Sequence, residues 1–94
     1  MNIKFRQLPI ADIEGNEQKI DVAQLIGNVL FNQADDVAEH DLGIKIYHEP
    51  MPDEDTGECP GTDIDDKEAN ILRKYLPYFK YNLRNAIEQQ LKKE

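Results

Sequence analysis

Three times in 94 residues an aspartate stands three positions ahead of a Gln or Glu at the head of an apolar stretch: Asp21 with Gln24, Asp36 with Glu39, Asp65 with Glu68. In this spacing the aspartate accepts an otherwise unpaired amide of a first helical turn, and the longer side chain reaches back to the cap amide. Each pair predicts a helix start. Ile20 with Leu25, and Ile64 with Ala69, add hydrophobic staples at the first and third. Much of the negative charge is therefore expected to be architectural.

Behind the first cap, Val22, Leu25, Ile26, Val29 and Leu30 keep the 3.6-residue repeat and predict a helix to about Asn32. Gly27 costs it about 1 kcal/mol relative to Ala. Either another backbone approaches that glycine closely or the helix is weakened there. Behind the second cap, Ala38, Leu42 and Ile46 form a narrow stripe. Gly43 offers a stop, and 44–47 would also serve as a strand, but helix is the favoured reading. After the third cap come Ile71, Leu72 and Tyr75. Pro77 restrains Leu76 and fits the first position of a fourth helix. That helix would carry Phe79, Leu83, Ala86, Ile87 and Leu91 on one stripe and end at Lys92-Lys93.

Upstream, Ile3 and Phe5 alternate with Lys4 and Arg6 as in a half-buried strand, and Gly15-Asn16 is a two-residue turn signal. A hairpin centred there pairs Asp12 with Lys19 and Ala11 with Ile20. The expected class is α+β, predominantly helical, with a short N-terminal β-hairpin, about four helices and an acidic loop between the second and third. Residues 1–94 suit a single small domain, and 49–62, rich in Pro, Gly and acids, reads as its flexible loop.

Charge sorts along the chain more sharply than hydropathy. The net charge is -8, with a strongly acidic stretch over residues 21–66 and a basic one over 67–94, so a compact fold can set acids beside bases. This balance makes nucleic acid an improbable partner. No apolar run is long enough to span a membrane and the N-terminus has no signal-peptide core, so the expected location is cytoplasmic.

Reactive chemistry finds little support. Counting a calcium-loop from Asp53 puts Gly57 at position five and Ile64 at position twelve, where Gly at six and Glu at twelve are needed. His40 and His48 would sit about 12 Å apart on one helix, too far to chelate together, and Cys59 is the only thiol. Cys59 beside Pro60 reads as an exposed thiol with no cation nearby to activate it. No nucleophile elbow, phosphate loop or dinucleotide fingerprint occurs. The chain reads as non-enzymatic, with no cofactor and no metal site.

The feature that points outward is aromatic. Four of the seven aromatic residues fall between Tyr75 and Tyr81, among Arg73, Lys74, Lys80 and Arg84. Tyr78 and Tyr81 lie off the apolar stripe, on the side of Asn85 and Lys92, as tyrosines at protein interfaces do. The alternative is that both rings cover the junction of the third and fourth helices with only their hydroxyls wet.

The short N-terminal strands, with Ile20-Asp21-Val22, Leu25-Ile26-Gly27-Asn28 and Leu42-Gly43-Ile44-Lys45-Ile46-Tyr47, resemble small uncharacterised phage and prophage proteins. The acidic loop and Gly43-Ile44 depart from their pattern. The resemblance implies a phage-related origin and no activity. The leading expectation is a protein-interaction module, a phage or mobile-element accessory, using Tyr78, Tyr81 and Asn85 to contact a protein partner or a second copy. The alternative is an acidic nucleic-acid mimic that inhibits a DNA-binding protein. Direct nucleic-acid binding through Arg73, Lys74, Lys80, Arg84, Lys92 and Lys93 ranks third, opposed by net charge.

Overall fold

The capping chemistry is realised in full at one of its three sites. In the computed structural model, which describes residues 1–92, Asp65 accepts from the amide of Glu68 at 2.8 Å while Glu68 accepts from that of Asp65 at 3.0 Å, opening α3 (Asp66–Tyr75). Asp36 caps α2 (Val37–Tyr47) through the Glu39 amide at 2.9 Å, but the Glu39 side chain turns inward and takes the amide of Asp35. Asp21 does not close the expected box: its carboxylate accepts from the Ala23 amide at 3.2 Å rather than from that of Gln24. Val22 donates to the Phe5 carbonyl at 2.8 Å, so the chain is still pinned to the N-terminal segment there. The helix α1 (Ala23–Gln33) consequently starts late, with Val22 at its cap, and Asp21 pairs with Arg6 at 3.0 Å. The first staple is absent too, since Ile20 and Leu25 are both exposed.

Gly27 and Gly43 explain each other. A Cβ on Gly27 would lie 2.8 Å from the Gly43 carbonyl oxygen, and one on Gly43 would lie 2.8 Å from the Phe31 amide. The two glycines let α1 and α2 cross backbone to backbone, which is why Gly43 sits inside α2 rather than ending it. Residues 44–47 are helical.

The architecture is α+β and predominantly helical, with the N-terminal hairpin and four helices in the expected order. The hairpin joins β2 (Leu8–Ala11) to β3 (Glu17–Ile20). Its register is Leu8↔Ile20 through Ala11↔Glu17, three residues away from the expected pairing. The reason is Asp12: its carboxylate accepts from the amides of Glu14 and Asn16, and its amide donates to the Asn16 carbonyl. That builds a wider loop than a two-residue turn, with Gly15 at φ +86° inside it. Residues 2–5 stand outside the hairpin. β1 (Asn2–Ile3) pairs antiparallel with β4 (Thr62–Asp63), and Phe5–Gln7 forms a 3-10 turn.

Pro77 does not begin the fourth helix. It lies in a second 3-10 turn, Leu76–Tyr78, and α4 runs from Tyr81 to Leu91. Phe79, buried in extended backbone between them, reaches the core from outside the helix. The core gathers Ile3, Phe5 and Leu8 with Ile26, Leu30, Leu42, Ile46, Leu72, Tyr75 and Ile87. The 49–62 loop contributes more than its composition promised, because Glu49 and Cys59 are both buried.

Candidate functional site

Tyr78, in the α3–α4 connection, and Tyr81, at the first position of α4, face outward where the chain between the two helices is not helical throughout. The 3-10 turn and extended Phe79 send Phe79 inward and leave its neighbours outside. Tyr78 is 59% exposed and Tyr81 69%. Rings with only their hydroxyls wet would be far more covered, so the two line an open surface. They border a shallow groove of about 540 Å³, whose walls include Ile10 from β2, Leu25 and Val29 from α1, and Leu83 from α4. Leu25, expected in the core stripe, is 51% exposed and forms part of this wall. Arg84 stacks 5.6 Å above the Tyr81 ring, and the Tyr75 and Tyr78 rings lie 5.4 Å apart. Asn85 is exposed but borders the adjacent depression between β2 and α4, with Asn82 shared by both. The structure therefore joins Tyr78 to Tyr81 and sets Asn85 beside them rather than among them.

The titratable residues converge elsewhere, in two clusters. In the first, buried Glu39 receives Lys74 Nζ at 2.7 Å and the Tyr75 hydroxyl, and Lys74 also pairs with Asp35 at 2.8 Å. These bonds, Lys74 foremost, hold the Glu39 carboxyl down at about 2, while burial and the Glu39 bond push Tyr75 up to about 12. The Lys74 ammonium is raised by Asp35 and Glu39. This cluster links the acidic middle of the chain to its basic last third.

In the second cluster, Glu49 accepts from the amides of Phe5 at 3.1 Å and Arg6 at 2.8 Å, from Thr62 Oγ1 at 2.7 Å and from Cys59 Sγ at 3.6 Å. The Arg6 guanidinium bonds the Glu49 and Tyr47 carbonyls and Asp21. Cys59, expected at the surface, is buried here, and its thiol pKa is raised by that burial and then by the Glu49 charge. A thiol so placed is a poor nucleophile.

Both clusters are internally satisfied: among the described residues no buried side-chain nitrogen or oxygen lacks a hydrogen-bond partner. Among the described residues no group of three or more His, Cys, Asp or Glu is arranged to hold a metal ion. Of the C-terminal cations, Lys74 is occupied by Asp35 and Glu39, Arg73 bonds Asn70, and Lys93 lies outside the described residues. Among the described residues no helix is long and apolar enough to cross a membrane.

One surface escaped the sequence reading. From Val22 to Ala34 there is no Asp, Glu, Lys or Arg, in a chain where 32% of residues are charged. That silence marks α1 as a helix whose exposed face is uncharged. Acids on either side of α1, Asp21 before it and Asp35 and Asp36 after it, mask this gap in the net charge of residues 21–66. No family model, no curated protein and no solved structure matches this chain.

Proposed function

We propose that the protein is a non-enzymatic interaction module, a phage or mobile-element accessory, whose contact surface is the groove between α1 and the α3–α4 connection. The observation that carries this reading is the exposure of Tyr78 and Tyr81 beside Leu25 on one mostly apolar surface. Large amphipathic rings held on short stiff side chains lose little entropy on binding, which is why they concentrate at interface centres. The buried carboxylates support the same reading, since their hydrogen bonds are spent inside the fold.

The nucleic-acid mimic is the competing reading. Asp53, Glu54, Asp55 and Glu58 in the loop remain exposed for it. Mimicry needs acids displayed along a rigid face, whereas Asp21, Asp35, Glu39, Glu49 and Glu68 are each engaged by this chain's own donors. Affinity capture with the wild type and with Tyr78→Ala/Tyr81→Ala separates the two. The interaction reading expects a partner retained by the wild type, reproduced with purified proteins, and lost with the double variant at unchanged fold. A partner indifferent to the tyrosines and released by moderate salt would overturn it in favour of mimicry.

A further inference from the structure

Five of the six exposed positions of α1 form a pattern that reads the same in both directions, with Gln33 at the C-terminal end outside it. Gln24, Leu25, Asn28, Phe31 and Asn32 all face solvent. Taken from Asn28, the positions three away are apolar on both sides, Leu25 and Phe31, and those four away are amides on both sides, Gln24 and Asn32. Positions three and four apart share one face of a helix. We propose that this face is the contact surface of a homodimer, two copies packing α1 against α1 in antiparallel fashion about a two-fold axis at Asn28. The proposal rests on the interaction reading above and names a second copy of this chain as the occupant.

An isologous contact requires that whatever residue i meets, its symmetry mate meets in return. In this arrangement Leu25 stands level with Phe31 of the other copy, diagonally across the seam, Gln24 level with Asn32, and Asn28 faces Asn28. An asparagine amide carries both donor and acceptor, so it can pair with itself where a carboxylate or an ammonium would repel its mate.

Charge favours the same occupant. Two chains of net charge -8 repel, and they meet at least cost where charge is absent. The face is bounded at its two ends by Asp21 and Asp35, each met by a cation of its own chain, Arg6 and Lys74. An acidic partner would want cations along the strip, and the strip has none.

The shape fits as well. α1 separates two depressions: the tyrosine groove, which Leu25 and Val29 border, and a smaller one of about 200 Å³, which Asn28 and Phe31 border with Ile44 and Tyr47. A helix laid across α1 reaches both. Phe31, Tyr78 and Tyr81, exposed by 47%, 59% and 69%, together offer on the order of 350 Å² of surface. Leu25, Ile20, Ile44 and the amides extend this toward the roughly 800 Å² per partner of a standard interface.

Sedimentation velocity over a wide range of protein concentration tests the proposal. The wild type should approach twice its 10.9 kDa mass, and Leu25→Glu and Phe31→Glu should each weaken association by about tenfold or more with unchanged helical content. Asn28→Asp and Asn28→Lys should each be monomeric alone, and their equimolar mixture should form a heterodimer, a signature only a two-fold at that residue produces. Added salt should leave the wild-type dimer intact or strengthen it, by screening the net charge. A wild type that stays monomeric throughout, a mixture that fails to pair, or a dimer that salt dissolves would each overturn the proposal. A monomer whose captured partner still depends on Tyr78 and Tyr81 would leave the interaction reading standing. A dimer with no dependence on the tyrosines would sustain the two-fold contact and remove the tyrosine groove from it.

Discussion

Glu39 and Glu49 are both sealed within the fold, 5% and 2% exposed, yet different partners keep them there. Glu39 is held chiefly by a cation, Lys74, with the Tyr75 hydroxyl and one local amide. The Glu49 carboxylate accepts from neutral donors alone: two amides from the N-terminal turn, the Thr62 hydroxyl and the Cys59 thiol, while the Arg6 guanidinium bonds only the Glu49 main-chain carbonyl. The first joins the start of α2 to the end of α3. The second joins the end of α2 to residues 5 and 6 on one side and to the acidic loop and β4 on the other. One carboxylate is thus a charge-paired brace, and the other is the acceptor around which distant pieces of chain close.

The largest effect should come from Glu49. Glu49→Ala leaves several buried donors without an acceptor, each costing about 1–3 kcal/mol, so unfolding in urea should show a loss of about 3–5 kcal/mol. A loss under about 1 kcal/mol would mean that water replaces the carboxylate, and the contrast with Glu39 would dissolve. Glu39→Gln should cost less, about 2 kcal/mol at neutral pH, because the local amide and the hydroxyl still find an acceptor. Its signature is in the pH dependence. A carboxyl held at about 2 against the usual 4.5 supplies stability that is fully present above 4.5 and drains away as pH falls toward 2. The stability difference between wild type and Glu39→Gln should therefore shrink through that window, and a difference that stays constant would show that Lys74 does not govern the brace.

The smallest effect should come from Cys59. Cys59→Ala should cost about 1 kcal/mol, and the native thiol should resist alkylation until denaturant is added, since it is buried and its pKa is raised. Immediate labelling would show that the 49–62 segment opens while the rest of the molecule stays folded, placing the weak point on the Glu49 side.

The same two carboxylates show where sequence reading reaches and where it stops. Asp36 and Asp65 were legible as caps because a cap bonds within three residues of itself, a distance at which chain order fixes geometry. Asp21 carries an equivalent pattern and closes no box: it takes the Ala23 amide instead of that of Gln24, and Phe5 and Arg6 hold its neighbourhood from across the fold. Glu39 appeared as the second half of a capping box and was drawn inside by Lys74 and Tyr75, which lie 35 and 36 residues away. Glu49 and Cys59 read as loop residues because their partners are spread from Phe5 to Thr62. At the tyrosine surface, residue identity and helical phase marked Tyr78 and Tyr81. Nothing local assigned Leu25 to the same groove, and the lack of charge from Val22 to Ala34 was the one signal that α1 presents a neutral face.

The order of elements, the helical character and the two aspartate caps followed from local preferences of the chain, which act over a turn or less. The hairpin register, the passage of two glycines against each other, the end of α3 at a 3-10 turn and the burial of Glu39, Glu49 and Cys59 were decided by assembly. Each of those depends on a partner far away in the chain, and the free energy that selects it exists only once the core has brought the two together.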